Sequence, residues 1–203
     1  MVKASAFRRS FAFLFDILIV MFVLSLVFRL AGDRVIKGQI DNFQEIYDQY
    51  QSDLSDYYDS RDSIINDYTN EIITIEARDT QLETLSDEFN TLHEGDISTI
   101  FKYYYSVTLF FIFGFGVINY GYNLLLHGQT FGRKLMKVEL TGNINWWSLL
   151  LREFFWKSIF WGITLGLGII VDLLLISLTK SKKTIRDRIT NTYVIYSGTV
   201  YPF

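Results

Sequence analysis

The sequence contains no cysteine, one proline and only two histidines among its 203 residues. The lack of cysteine excludes a disulfide framework, a thiolate metal site and a cysteine nucleophile. Two histidines without a His-Glu-x-x-His pattern argue against a zinc hydrolase. Bases are scarce in one part of the chain, since residues 31–100 hold 17 acids and 4 bases whereas the remainder holds 15 bases and 5 acids. No separate basic face follows from this distribution, and we expect no nucleic-acid partner.

The segment 128–134 reads Gly-Gln-Thr-Phe-Gly-Arg-Lys and has a superficial likeness to a phosphate-binding loop. Three residues separate its glycines where that loop needs four, no strand precedes it, and leucine follows the lysine. We therefore expect no nucleotide and no other cofactor. No motif supplies a nucleophile together with a general base, so we do not expect an enzyme.

Long apolar runs are abundant, and half of all residues are hydrophobic. Residues 10–28 contain one charge in nineteen positions and residues 103–126 contain none in twenty-four. Both runs reach the roughly 20 residues that carry a helix across a bilayer. The first is too long for a cleavable signal peptide, and no small-x-small cleavage site follows it. We predict transmembrane helices over residues 5–30 and 101–127.

The orientation of these helices follows from the basic residues Lys3, Arg8 and Arg9, which precede or open the first run. The positive-inside rule predicts a cytoplasmic N-terminus. Residues 31–100 then lie outside the cytoplasm, and the second span returns the chain to a cytoplasmic loop over residues 128–148.

A third apolar stretch, residues 149–178, is interrupted by Gly162, Gly166 and Gly168. A straight span here would carry the basic residues of segment 179–203 out of the cytoplasm, against the positive-inside rule. Glycine is a common place for a membrane helix to break. Two short helices that enter and leave on the cytoplasmic side agree with the charges. We predict such a re-entrant hairpin, with a straight third span as the alternative.

The acidic segment 31–100 has a heptad pattern of apolar residues. They recur mostly at spacings of four and three, at Ile36, Ile40, Phe43, Tyr47, Tyr50, Leu54, Tyr57, Ile64, Tyr68, Ile72, Ile75, Leu82, Leu85, Phe89 and Leu92. Both ends attach to the membrane on one side, so the chain must reverse, and residues 59–62 or 66–70 are the candidate corners. We predict a coiled-coil-like antiparallel hairpin that either docks a partner or is a solvated spacer.

Two short segments have the composition of paired strands, namely residues 137–141 (KVELT) and 192–196 (TYVIY). Their pairing requires both in one compartment, which again favours the hairpin over a straight span. The predicted fold is an all-α integral membrane protein. It has two full transmembrane helices, a glycine-broken re-entrant helical hairpin, an extracytoplasmic antiparallel helical hairpin and a small cytoplasmic β pair.

Arg9 and Asp16 are seven residues apart, two helical turns, and share one face of the first span. A carboxylate inside an apolar span costs about 3 kcal/mol by insertion scales, so Asp16 should face a protein interior or a water-filled cavity. The two backbones are about 10 Å apart at the rise of an α-helix, and we predict that the Arg9 side chain can approach Asp16 or that a partner bridges the two. A neutral, hydrogen-bonded Asp16 and an interfacial Arg9 are the alternative.

Asn119, Asn123 and His127 recur every four residues on the second span and predict one polar stripe. The stripe either lines an ion path or holds helices together through polar contacts. At the helix end, a capping or interface role is the alternative for His127.

Asp172 lies in the third apolar stretch, whose start carries Arg152, Glu153 and Lys157. The two arms of a hairpin share the cytoplasmic half of the membrane. We therefore predict that residues 152–157 lie near Asp172 and form an ion pair with it. A carboxylate that binds a transported cation is the alternative.

Four motifs in this order resemble the RDD family of bacterial membrane proteins. They are residues 8–16 (RRSFAFLFD), residues 127–140 (HGQTFGRKLMKVEL), the pair Leu151-Arg152, and residues 185–194 (IRDRITNTYV). The arginine and two aspartates that name the family map to Arg9, Asp16 and Asp187. A histidine commonly precedes the second aspartate, and Arg186 stands there in this chain. The acidic segment lies outside the four motifs.

The resemblance implies a multi-pass protein of the bacterial cell membrane, and the charges predict that both termini are cytoplasmic. It also implies transport, including cation/proton exchange, and we expect Asp16 to exchange a proton for a cation or small solute. Two spans and a hairpin are few for a transporter, so we expect a homo-oligomer in the lipid bilayer or a membrane-protein partner. A non-transporting scaffold or accessory subunit, whose acidic hairpin binds a partner protein, is the alternative.

Overall fold

The structure, a computed structural model, describes residues 2–198. Two helical segments are long and apolar enough to cross a membrane, Ala6–Gly38 and Glu94–Leu125. The first comprises α1 (Ala6–Val27), a π-helical stretch (Phe28–Gly32) and α2 (Asp33–Gly38). The side chain of Ser5 accepts a hydrogen bond from the backbone of Arg8 and caps the start of α1. Both predicted spans are present as helices, and each helix is longer than its apolar run.

The chain divides into two compact units. One contains the residues up to Leu30 together with those from Thr108 onward, and the other contains Ala31–Val107. The site described below lies in the first unit.

The acidic unit contains the helices α3 (Phe43–Thr69) and α4 (Ile75–Leu92). They run antiparallel, because Tyr57 contacts Phe89 and Tyr50 contacts His93, at ring-centroid distances of 4.8 and 5.4 Å. The chain reverses over residues 70–74, where Thr74 caps α4. The reversal predicted at residues 59–62 was therefore wrong. The reversal predicted at residues 66–70 lies a few residues before the observed one. Polar residues at 59–62 remain helical because they lie on an exposed face.

The second long helix, α5 (Glu94–Leu125), ends in a turn that leads to the short helix α6 (Phe131–Leu135) and the strand β1 (Val138–Gly142). The sequence predicted a loop with one strand over residues 128–148. The sequence did not predict the helix α6, because five residues are too few to show a periodic pattern.

The third apolar stretch consists of α7 (Trp146–Leu149), a π-helical stretch (Leu150–Phe160), α8 (Trp161–Ile163) and α9 (Leu167–Leu178). The two arms, Trp146–Ile163 and Leu167–Leu178, are bent by 118°. The break falls at residues 164–166, where Gly166 has φ +84°, a conformation that glycine adopts without steric cost. The predicted glycine break is confirmed.

The chain then forms α10 (Ile185–Ile189) and β2 (Thr192–Tyr196). Strand β2 pairs antiparallel with β1, with Leu140 opposite Val194. Residues near the N-terminus lie beside β2, because Lys3 forms an isolated bridge with Ile195 and the Ala4 backbone N–H donates to the Val194 carbonyl at 3.1 Å. The predicted strand pair is confirmed. Buried residues of the two strands form one apolar cluster with residues of neighbouring segments. The cluster comprises Ala4, Ala12, Val138, Leu140, Leu149 and Val194.

Candidate functional site

The buried face of α1 presents two charged residues to the interior of the first unit. Arg9 and Asp16 are 8 % and 4 % exposed and share this face with Ala12. They face the same side, as predicted, but they do not pair with each other. Arg9 bonds Asp187 and the carbonyl oxygen of Lys182, each at 2.5 Å. The predicted approach of Arg9 to Asp16 was wrong because the chain supplies each of them with another partner.

Asp16 holds α6 against α1. Its carboxylate accepts hydrogen bonds from the Thr130 hydroxyl at 2.5 Å, the Gly132 backbone N–H at 2.8 Å and the Tyr122 hydroxyl at 3.3 Å. A Cβ at Gly132 would lie 2.1 Å from the carbonyl oxygen of Ala12, so only glycine allows this approach. Asp16 therefore supplies an acceptor for an unpaired N–H at the start of α6, a favourable position for a negative charge.

Asp187 is fully buried and connects three elements. Its two oxygens accept from Arg9 on α1 at 2.5 Å and from Arg152 on the π-helical stretch. The Thr184 backbone N–H donates to the same carboxylate at 3.1 Å, and the Thr184 hydroxyl accepts from the Asp187 backbone N–H, so the two residues form a capping box at α10. Burial raises the pKa of Asp187, but the positive charges of Arg152 and Arg9 outweigh that effect and hold its pKa well below the usual range.

Glu153, also fully buried, receives three cations. Arg133 and Arg152 each donate to its Oε1 at 3.0 Å, and Lys157 contacts its Oε2. The Asn119 side chain donates to Oε2 as well, at 3.1 Å. A charge buried this deeply is stabilised only when such partners are in place. Asp187 and Glu153, with the bases that bond to them, therefore form one buried charge cluster that is joined by Arg152.

The polar stripe on α5 is present only in part. Asn119 and Asn123 are buried, and the Asn123 side-chain oxygen accepts from Arg133 at 2.9 Å. His127 does not continue the stripe, because α5 ends at Leu125 and His127 lies exposed in the following turn with φ +49°. The predicted position of His127 on this face was wrong, since the spacing of four applies only while the chain is helical.

Asp172 lies on α9, beside Trp156 and Arg186. The Trp156 indole N–H donates to its Oδ2 at 3.3 Å, and the Arg186 Nε lies 3.7 Å from the same oxygen. Residues 152–157 do approach Asp172, as predicted. The ion pair, however, forms with Arg186, whereas Arg152 and Lys157 pair with Glu153 and Asp187. Arg186 also lies over the ring of Trp161, 5.3 Å from its centroid.

These groups surround a cavity of about 120 Å³, a volume sufficient for several water molecules. Its charged walls are five bases, Arg9, Arg133, Arg152, Lys157 and Arg186, and two carboxylates, Asp16 and Asp172. Apolar side chains from α1 and α9 complete the lining, including Phe13, Ile169 and Leu173. Within residues 2–198, no group of three or more metal-ligating side chains is placed to hold a metal ion. The arrangement suits binding of a charged solute.

Sequence reasoning missed several of these groups. The sequence predicts Glu153 and Lys157 only as neighbours of Asp172. Thr130 and Arg133 lie in the segment that was rejected as a phosphate loop. The available signal was their position: Glu153 and Lys157 lie in an apolar stretch, where a charge needs a partner.

The model of the RDD family matches residues 3–191, nearly the whole chain. The matched range runs through the acidic segment as well, which the four motifs alone left outside the resemblance. Comparisons with curated proteins and with solved structures gave no match. Arg9, Asp16 and Asp187, the residues that the resemblance singled out, each lie buried in or beside the charge cluster. The chain belongs to the RDD family.

Proposed function

We propose that this protein is a membrane transporter for a small charged solute, and that the cavity beside α1 is its site. The observation that carries the proposal is a cavity lined by seven ionisable side chains, between one helix long and apolar enough to cross a membrane and the two arms of the bent pair. Ionisable groups at membrane depth are costly, so they are kept mainly where they serve an ion or solute pathway. We propose transport without a catalytic step.

The pairing of the sheet supports a topology with both termini in the cytoplasm. Residues 3–4 precede the first span, β1 follows the second, and β2 follows the bent pair of helices, yet both residues 3–4 and β1 lie beside β2. Two crossings return β1 to the side of the N-terminus. The bent pair must then enter and leave on that same side, as a re-entrant hairpin does. The positive-inside rule makes this side cytoplasmic, and the acidic unit then lies outside.

Asp172 is the carboxylate best placed to exchange a proton. Its Oδ1 is buried and has no hydrogen-bond partner within the described part of the chain. Both oxygens of Asp16 and of Asp187, by contrast, accept hydrogen bonds. In proton-coupled transport, a carboxylate must take up and release a proton, and one with a free oxygen can take up the proton without the loss of an existing hydrogen bond. We therefore assign to Asp172 the exchange that the sequence suggested for Asp16.

An oligomer in the lipid bilayer completes the proposal. Apolar side chains are exposed along both arms of the hairpin, including Ile163 at 78 % and Leu178 at 77 %. Lipid or a second copy of the chain covers such surfaces in a membrane protein. Two spans and one hairpin enclose little volume, which favours several copies.

Flux into proteoliposomes tests the proposal. Purified protein is reconstituted with an entrapped pH-sensitive dye, and sodium chloride or sodium phosphate is added in separate runs. We expect proton movement that depends on the protein and is lost in Asp172→Asn. The matched control is Asp87→Asn, which changes an exposed aspartate of α4 and should retain the full rate. Absence of flux with both salts, or equal flux in the two variants, contradicts the proposal.

A scaffold or accessory subunit is the second candidate. The observation that favours it is that Ala31–Val107 forms a compact unit of its own, and residues 31–100 within it carry 17 acids against 4 bases. A basic partner protein would complement that charge. Co-purification that depends on residues 43–92, in a protein without flux, would support this function over transport.

A further inference from the structure

Two residues in the cavity wall carry N–H groups without an acceptor. The Arg186 Nε and Nη1 and the Trp161 Nε1 are buried and have no hydrogen-bond partner among residues 2–198. Both residues line the cavity, and the Arg186 side chain is 10 % exposed. An unpaired buried donor destabilises the folded protein, and the more so when it is charged.

The neighbouring carboxylate does not satisfy these donors. The 3.7 Å between the Arg186 Nε and the Asp172 Oδ2 exceeds hydrogen-bond distance. The Trp161 ring lies below the guanidinium and positions it, through a cation–π contact at 5.3 Å. The Arg186 Nε and Nη1 therefore have no acceptor among residues 2–198, and Arg186 lines the cavity in which an acceptor from outside the chain would bind.

The charge of the lining indicates the sign of that acceptor. Five bases and two carboxylates line the cavity, and the buried carboxylates Glu153 and Asp187 pair with every one of these bases except Arg186. Asp16, one of the two lining carboxylates, already accepts three hydrogen bonds and contributes little free acceptor capacity. The cluster then has one net positive charge, and Arg186 is the base whose N–H groups lack an acceptor, so the position beside Arg186 favours an anion.

We propose that this cavity binds an oxyanion, the carboxylate or phosphate group of a small molecule or lipid headgroup, at Arg186 and Trp161. A guanidinium suits such a group because its planar N–H donors match two oxygens. The apolar side chains Ile169 and Leu173 line the rest of the cavity and suit a short apolar body attached to the anion. The inference deepens the proposed function and rests on it for the site. The inference identifies the solute of the proposed transporter as an oxyanion.

The test is a binding measurement that does not require transport. The protein is placed in phosphatidylcholine nanodiscs, and its thermal midpoint is followed while sodium phosphate or sodium acetate replaces sodium chloride at constant ionic strength. A bound anion stabilises the folded state in a saturable way. We expect saturation in the parent protein and its loss in Arg186→Gln. The matched control, Arg188→Gln, removes an exposed arginine from the same helix and should bind as the parent does.

Two further variants keep the result interpretable if Arg186→Gln does not fold. Trp161→Phe retains an aromatic ring but removes one donor, and should weaken anion binding about 3- to 10-fold. Asp172→Asn removes a negative charge beside Arg186 and should strengthen binding. The same Asp172→Asn change abolishes flux under the proposed function, so the two hypotheses fail in different assays.

Nanodiscs that contain phosphatidylglycerol separate the two sources of the anion. Stabilisation by this lipid that is lost in Arg186→Gln and prevents the phosphate response identifies a lipid headgroup. A phosphate or acetate response that persists in the lipid identifies a soluble anion. Either result supports the oxyanion site. Absence of both responses, or equal responses in the parent, Arg186→Gln and Trp161→Phe, overturns it.

Discussion

Arg9 and Asp187 form a buried ion pair with 2.5 Å between Nη2 and Oδ2, although 178 positions separate them in the chain. Arg152 bonds the other oxygen of the same carboxylate. One aspartate therefore joins α1, the π-helical stretch and α10. The pair joins the start of α1 to the segment after the hairpin, and its Arg9 side chain lines the cavity.

Asp187→Asn should destabilise the protein strongly. The change leaves Arg9 buried without an anionic partner and Arg152 with Glu153 alone, and breaking a buried pair in this way costs about 3–5 kcal/mol. We expect a clear fall in the thermal midpoint in detergent, measured by the loss of the monodisperse peak in size-exclusion chromatography. Asp87→Asn, an exposed substitution, is the control and should melt as the parent does. Equal midpoints for Asp187→Asn and the parent would show that the pair contributes nothing.

The stability difference between the parent and Asp187→Asn should depend on pH. The pKa of Asp187 is raised by burial but lowered more by Arg152 and Arg9, so it is lower in the folded than in the unfolded protein. The stabilisation is then fully present above the unfolded pKa of about 4 and is lost as the pH falls toward the folded value. We expect the gap in thermal midpoint to be constant from pH 7 to 5 and to narrow at lower pH. A gap that widens on acidification would reverse the sign and refute the assignment.

The sequence predicted those parts of the fold that depend on local composition. The apolar runs gave the two long helices, the glycines gave the break at Gly166, and the β-rich segments gave the strand pair. The partners of the charged residues could not be predicted in the same way. Asp187 is 178 positions from Arg9, and α6 is held in place partly by Asp16, a residue 116 positions before Gly132. Such pairings arise from tertiary packing, which the spacing of residues along one helix does not reveal.

Gly132→Ala should disrupt the contact between α6 and α1. The added Cβ would lie 2.1 Å from the carbonyl oxygen of Ala12, a backbone atom that no side-chain rotation can move away. Overpacking typically costs about 1–3 kcal/mol, and a rigid neighbour places this site at the upper end of that range. The thermal midpoint should fall accordingly.

Gly121→Ala is the matched control for Gly132→Ala. No heavy atom lies within 4 Å of a Cβ at Gly121, and alanine favours a helix interior by about 1 kcal/mol over glycine. We expect an unchanged or higher midpoint. If the two alanine variants melt alike, the close approach of Gly132 to α1 is not required for the fold.

Single cysteines should report the topology without background, because the chain has none of its own. Lys134→Cys and Lys180→Cys change exposed residues before β1 and after α9, and Gln51→Cys changes an exposed residue of α3. If the bent helices enter and leave on the cytoplasmic side, a membrane-impermeant maleimide should label Gln51→Cys in intact cells. It should label the two lysine variants only after permeabilisation. Labelling of Lys180→Cys in intact cells would instead indicate a straight third span, and would then require the strand pair between β1 and β2 to be absent in the membrane.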